Sequence, residues 1–332
     1  MEPLSFSDMA YRTKKKQTRR ERFLEEMNAV LPWEILLKPI ERKYPKPGNG
    51  RRPIGAEVML RIYFTQQWYA LSDPGMEDSL YDVESMRRFA GVDLNGVPDE
   101  TTICKFRHFL EAHGLTEALF EQAKRYLSRQ GLIVSEGTIV DATIIHAPSS
   151  TKNRERKRDP EMKSTKKGNT WYFGMKAHVG ADVKGRVHSV VTTAASVHDS
   201  KVMDACLHGK EQTIYGDKAY ADQTRKEQAE SNDIEWRVPA CAQRAGRLRK
   251  ARRGKRLNCA DVSFNKKSNR TRARVPACAC CLTHADREHP FGVIKHLWGY
   301  RKVRYRGLAK NTAHLFTLFA LANFYMARQE LA

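Results

Sequence analysis

The chain has 332 residues, 41% of them hydrophobic, which suffices for one large domain or two ordinary ones with a real core. Its formal net charge of +21 costs self-repulsion and favours a polyanionic partner, so nucleic acid leads and an anionic membrane surface, with no separate basic amphipathic helix to meet it, follows far behind. The longest apolar run, 312–327, carries His314 and Asn323 and is short for a membrane span, residues 1–30 lack the apolar segment of a signal peptide, and the seven cysteines form no regular framework. A cytoplasmic, reducing setting is expected, and a partner such as chromosomal DNA would make it nucleoid-associated.

The basic cluster Lys14, Lys15, Lys16, Arg19, Arg20 and Arg22 reads as a solvated arm. The apolar period Phe23, Met27, Val30 behind it predicts a helix. After a Pro/Gly-rich break at 45–53, an aromatic-rich helix is predicted over 56–71. Ser72-Asp73-Pro74 ends it and opens another at about 76–90. Pro98-Asp99-Glu100-Thr101-Thr102 starts the next, with Ile103, Phe106 and Leu110 as its apolar face and Gly114 as a C-terminal cap. Lys105, Arg107 and His108 fall partly on its other side, and a further helix covers about 117–129. Residues 1–130 therefore form a helical domain, and the helix near 100–113 is a candidate for the DNA major groove.

After Gly131 the texture changes. Strands are predicted at 137–147, 171–182, 187–195, 213–217 and 234–239, with helices at 198–209 and 221–230. Three strands joined by short turns and then alternating helices imply an α/β fold, a mixed sheet with helices on its faces. Residues 242–274 break the pattern with a dense run of basic residues. Helices at about 286–298 and 311–329 close the chain, the last packed on the sheet.

Three acids carry the chemistry. Asp141 sits inside the β-branched run Gly137–His146, where a carboxylate needs a partner. Read alone, it is as well explained by an edge strand that reaches water. Asp217 ends the run Thr213-Ile214-Tyr215-Gly216, at the kind of strand end that faces a ligand crevice, although capping the next helix is also a common role. Glu288 lies near the start of a predicted helix, seven residues before Lys295, so the two share a face at about two turns. Its plainer reading is a solvated acid favoured by the helix dipole. Two Asp on strands and one Glu on a late helix can together hold a pair of Mg²⁺ ions for phosphoryl transfer.

The segments Thr138–His146, Tyr215-Gly216-Asp217-Lys218-Ala219-Tyr220 and Glu288-His289-Pro290-Phe291-Gly292-Val293-Ile294-Lys295 resemble DDE-type bacterial insertion-sequence transposases of the insertion-sequence-five type. Pro98–Thr102 and Tyr300–Leu308 are similar too, so the resemblance covers nearly the whole chain. It implies an RNase-H-like catalytic domain over 131–332, interrupted by a basic insertion at about 242–287, and a DNA-end-binding domain over 1–130. It further implies strand cleavage and strand transfer at terminal inverted repeats, two Mg²⁺ ions (or Mn²⁺ in their place), target DNA as a second partner, and a homodimer or higher oligomer on DNA. Asp141, Asp217 and Glu288 would be the catalytic and metal-binding acids. Lys295 would touch DNA phosphate near the cut. Lys218, Arg244, Arg247, Arg249, Arg252, Arg253, Arg272, Arg301 and Arg304 are the further DNA-binding candidates. The rival readings are a stand-alone nuclease and a DNA-binding protein with an impaired catalytic fold.

The chain departs from the family pattern in one place. The family's Arg four residues before the Glu is His284 here, and the Tyr of hairpin-forming relatives is Cys281, so a hairpin intermediate is not supported. The peptide Arg237-Val238-Pro239-Ala240-Cys241-Ala242 recurs as Arg274-Val275-Pro276-Ala277-Cys278-Ala279. Removing 276–287 would place Arg272 four residues before Glu288 and restore the pattern, which predicts an insertion at the start of the catalytic helix and impaired activity. Cys278, Cys280, Cys281, His284 and His289 match no usual zinc-finger spacing and read as an incidental cluster.

Overall fold

In the computed structural model, residues 11, 13–49, 52–239 and 289–331 are described. The first elements lying wholly among the described residues are the helices α1 (Arg19–Val30), α2 (Trp33–Glu41), α3 (Ala56–Trp68), α4 (Asp73–Asp82), α5 (Glu84–Ala90), α6 (Glu100–Ala112) and α7 (Leu115–Arg129). Their starts follow from local chemistry. Thr18 and Glu21 form a capping box on α1, Ser72 Oγ accepts from Gly75 N at 3.1 Å, and Asp99 accepts from Thr102 N at 2.7 Å. Gly114, at φ 63°, takes the left-handed position that stops α6. The helix expected at 76–90 is instead two, broken at Val83, which ends α4 and begins α5. In the basic arm Lys15, Lys16, Arg19, Arg20 and Arg22 are exposed as expected, while Lys14 pairs with Glu21 and lies 3.5 Å over the Tyr11 ring.

Arg107 corrects the reading of α6. It is buried, donates to Asp73 at 3.0 Å and to Glu111 at 3.4 Å, and stacks over Tyr305 at 4.4 Å. It ties the N-terminal helices to a C-terminal segment and is not on the exposed face of α6, where Lys105 and His108 remain. Arg107→Ala strands two acids in a partly buried setting and is expected to cost about 3–5 kcal/mol, read from denaturant midpoints. A loss under 1 kcal/mol would show that water screens the cluster.

The sheet has six strands: β1 (Gly137–His146), β2 (Lys163–Lys167), β3 (Thr170–Asp182), β4 (Val187–Ala194), β5 (Thr213–Gly216) and β6 (Glu235–Arg237). β1 pairs antiparallel with β3 and parallel with β5, β3 pairs antiparallel with β2 and β4, and β5 pairs parallel with β6. The segment expected as a helix at 198–209 is a 3₁₀ turn (Asp199–Val202) and a single turn, α8 (Met203–Cys206), while α9 (Gln223–Ser231) is as expected. After the undescribed residues, α10 (Pro290–Gly292) leads into a π-helical turn, Val293–Leu297, and α11 (Leu308–Leu331) ends the chain.

One apolar core runs from α1–α7 through α11 to the sheet face of Met175, Ala177 and Val179. Asn323 of α11 accepts from Val187 N at 2.8 Å and donates to Val187 O at 2.7 Å, satisfying the start of β4 from within the core. The other face packs a smaller cluster of Val140, Ile214, Met203, Cys206, Tyr220 and Val238. Among the described residues no helix is long and apolar enough to cross a membrane.

Three histidines of the buried interior are held neutral by burial. It depresses His178 and His188 to about 4 and His314 well below its ordinary value. The unfolded rings take up protons below about 6.5 and the folded rings do not, so stability is full above that pH and falls as pH drops toward 4. Each ring contributes roughly 1.4 kcal/mol per pH unit inside that window. Thermal midpoints should decline from pH 6.5 to 4.5, the rings together outweighing the opposite effect of the raised carboxyls of Asp141 and Asp182; a profile that rises toward low pH would mean the rings are charged in the fold.

Candidate active site

The parallel pairing of β1 and β5 sets Val140 opposite Gly216, so Asp141 and Asp217 follow at neighbouring strand ends. By strand alternation both belong to the face of Ile139 and Tyr215. Gly216 keeps the approach close: a Cβ would meet Val238 at 3.2 Å and Tyr220 at 3.4 Å, so these side chains would have to give by a few tenths of an ångström. Asp217 also takes its plainer role, since its carboxylate accepts from Ala219 N at 2.8 Å and caps the 3₁₀ turn Lys218–Tyr220.

The environment of Asp141 is that of an uncompensated acid. Burial, and then the charges of Asp217 and Asp199, push its carboxyl up to about 6, against the Ala142 N–H it accepts at 2.8 Å and the charge of Lys167. A third of the side chain, 34%, still reaches solvent, so the strand is less closed than its apolar sequence suggests. His289 stands 3.8 Å from Asp141, but burial depresses its ring to about 4, so it brings no positive charge. Carboxylates at adjacent strand ends that form no ion pair with a Lys or Arg among the described residues, one of them shifted toward the neutral form, are a donor set suited to a divalent metal ion.

Lys295 crosses to β1, donating to Thr143 Oγ1 at 2.5 Å and Ile144 O at 2.7 Å. Burial first, then Lys167, lowers its ammonium to about 8, while Asp141 opposes the shift. It stands in the π-helical turn, where Trp298 N donates to Val293 O at 3.1 Å, and not in the continuous α-helix expected over 286–298. Arg301 lies on the strand-like segment that bridges His146, and it donates to Lys295 O at 3.3 Å. Lys218 is exposed, whereas Arg304 is half buried and donates to Leu71 O at 3.4 Å.

Glu288, Arg272, Arg244, Arg247, Arg249, Arg252, Arg253 and the segment 276–287 lie outside the described residues, as do Cys278, Cys280, Cys281 and His284. Among the described residues no three His, Cys, Asp or Glu side chains gather as a metal-binding group. Two contributors gain a role only from the structure: Asp199, whose dipeptide His198-Asp199 recurs in the resembling family without a role that the sequence assigns, and Lys167. Asp199 pairs with Lys176 at 2.9 Å, and its charge reaches Asp141. Lys167 belongs to a strand that the sequence pattern did not reveal.

Residues 134–324, more than half of the chain, match a family model described as a transposase DDE domain, and residues 11–109 match one described as a transposase domain. No solved structure matches. The helical N-terminal region and the mixed sheet flanked by helices are consistent with the RNase-H-like fold expected. Transposases act on DNA, and DDE enzymes generally use divalent metal ions. With more than half its length matched to the transposase DDE domain and most of its helical region to a second transposase domain, the chain belongs to the DDE-type insertion-sequence transposases.

Proposed function

We propose that this transposase, of the insertion-sequence-five type, cleaves DNA at the terminal inverted repeats of its own element and joins the freed ends to target DNA. The observation that carries the reading is the pair Asp141 and Asp217 at the ends of adjacent parallel strands, with the Asp141 carboxyl raised to about 6. Asp141, Asp217 and Glu288 would hold two Mg²⁺ ions; Glu288 precedes His289, whose ring is 3.8 Å from Asp141. When bound, such a pair activates an attacking oxygen and stabilises a leaving one. Lys295 spends two of its three N–H donors on Thr143 and Ile144, leaving one for a phosphate oxygen near the cut. Residues 1–130 would recognise the ends, 131–332 would carry the chemistry, and a homodimer or higher oligomer would hold both ends on DNA. The basic tract between Arg244 and Arg256 would add phosphate contacts.

The test is a supercoiled plasmid carrying the DNA that flanks the gene on both sides, incubated with Mg²⁺ and a second target plasmid. Cuts at the repeat ends and joined products are expected. Cuts without end preference or joining would make the protein a nuclease. Binding to the ends without any cut would favour the impaired form, which the repeated peptide Arg274–Ala279 motivates.

A further inference from the structure

A cleft of about 620 Å³ opens between α7 and the segments that lead into β1 and β5. A chain of contacts fixes its walls. Lys124 of α7 donates to His188 O, in β4, at 3.4 Å. The His188 ring meets the His208 ring edge-on at 4.9 Å, and His208 Nδ1 accepts from Lys210 N at 3.1 Å. Gly180 leaves room for the His188 ring: a Cβ there would stand 2.8 Å from its Cε1. The cleft lies where β1 and β5 begin, at Gly137 and Thr213, whereas Asp141 and Asp217 lie toward the end to which that pair runs. From Gly137 to Asp141 the strand covers roughly 13 Å, so the cleft is a separate place from the acid pair.

Its lining is cationic. Arg125, Arg129 and Lys210 are exposed, and none of the three side chains forms an ion pair or hydrogen bond among the described residues. No carboxylate lines it. Glu121 is held by Lys124 at 2.6 Å, and Glu211 is buried and accepts from Thr138 Oγ1 at 3.2 Å. The half-buried Ile133 and Val134 add apolar surface, and Ser128, Ser135 and Ser189 add hydroxyls. A concavity of this volume is of the size that takes a small molecule, with apolar walls and a few polar anchors. Duplex DNA instead presents its phosphates on a convex rod and is met by surface cations. Three cations without partners call for several negative charges on one ligand, and apolar walls call for a ring beside them. A nucleoside triphosphate has both.

We propose that this cleft binds a nucleoside triphosphate, with its phosphates on Arg125, Arg129 and Lys210 and its base against Ile133 and Val134. Guanidinium groups take phosphate oxygens in pairs, which suits the two arginines one turn apart on α7. The bound ligand bridges the last N-terminal helix and the loop before β5, so it ties the helical region to the sheet. The site uses neither Asp141 nor Asp217 and is independent of the transposase reading.

The probe is ATP in metal-free buffer with EDTA, where the uncompensated charge of Asp141 and Asp217 keeps it from the acid pair. Equilibrium dialysis should show one ATP per chain, and ATP should raise the melting temperature. Arg125→Gln with Arg129→Gln should weaken binding by roughly a hundredfold, since a charged hydrogen bond contributes about a factor of ten or more. Ser128→Trp fills the cleft without changing its charge and should abolish binding. The chain carries +21, so Lys15→Gln with Lys16→Gln, which removes two exposed cations elsewhere, is the matched control and should leave ATP binding unchanged. Tripolyphosphate, which has no base, should bind more weakly than ATP. All these side chains are exposed, so without ATP the variants should melt with the wild type.

No binding at millimolar ATP overturns the proposal. Equal losses in the two double variants, unchanged binding in Ser128→Trp, or tripolyphosphate as tight as ATP would reduce it to diffuse attraction and overturn it too. A short single strand of DNA that displaces ATP and is itself lost with Ser128→Trp would make the cleft a DNA groove, against the nucleotide. None of these results touches the transposase reading, which stands or falls on cleavage by Asp141→Asn.

Discussion

Asp141→Asn is expected to abolish strand cleavage while leaving the fold and DNA binding in place. The acid would hold the ions that stabilise the attacking and leaving oxygens. Losing several kcal/mol of that stabilisation lowers the rate roughly a thousandfold or more. A second effect runs in the opposite direction. In cation-free buffer at pH 7.5 the ionised Asp141 repels Asp217, and its carboxyl is raised to about 6. A raised carboxyl takes up a proton in the fold before it does so in the unfolded chain. Stability from this group is therefore lost as pH rises from about 4 through about 6. The neutral amide removes that loss, so Asp141→Asn should raise the cation-free melting temperature at pH 7.5, and Mg²⁺ should stabilise the wild type but not the variant. Wild-type cutting by Asp141→Asn would remove Asp141 from the site. Loss of cutting with a lowered melting temperature would point to a structural acid.

Much of this site was legible because it lies on short, strongly patterned strands. The β-branched run around Asp141 and the Gly216-Asp217 ending each announced a strand, and the parallel pairing of β1 with β5 brings the acids to neighbouring ends. What the sequence hid was held by partners and not by pattern. β2 reads Lys-Ser-Thr-Lys-Lys, with no apolar alternation, and is a strand because β3 pairs with it. The helix expected at 198–209 is cut to two short turns, since His208 N turns to Glu211 at 2.5 Å and Gly209 takes φ 80°. Arg107 looked like a surface cation on a recognition helix, and only the tertiary neighbours Asp73, Glu111 and Tyr305 make it a buried tie. Lys295 lies in a π-helical turn and not in the regular α-helix that a period of 3.6 residues implies, and Glu288, with which it is expected to share a face, lies outside the described residues.

The geometry of that turn bears on the segment before it. Deleting residues 276–287 is expected to raise cleavage of terminal DNA. The repeated peptide at 237–242 and 274–279 is an identity of six residues in a chain that is otherwise not repetitive, which marks a local duplication. Deletion joins Val275 to Glu288 and sets Arg272 four residues before the acid. Four residues are one helical turn, so the guanidinium and the carboxylate would share a face, where the arginine can hold a phosphate oxygen next to the metal-binding acid. In the chain as it stands, His284 occupies that position, and Pro276 disfavours a helix running from Arg272 to Glu288. The described helix begins only at Pro290, whose N-terminal position suits a start and not a continuation. Neutralising a developing phosphate charge with an arginine is worth several kcal/mol, so restored placement should raise cleavage by about a hundredfold or more. The rate should fall back when Arg272→Ala is added to the deletion, and Arg272→Ala alone should change little. A deletion variant that folds but cuts more slowly than the full chain would make 276–287 a working part of the enzyme, with the ends of the duplicated peptide fitted to it.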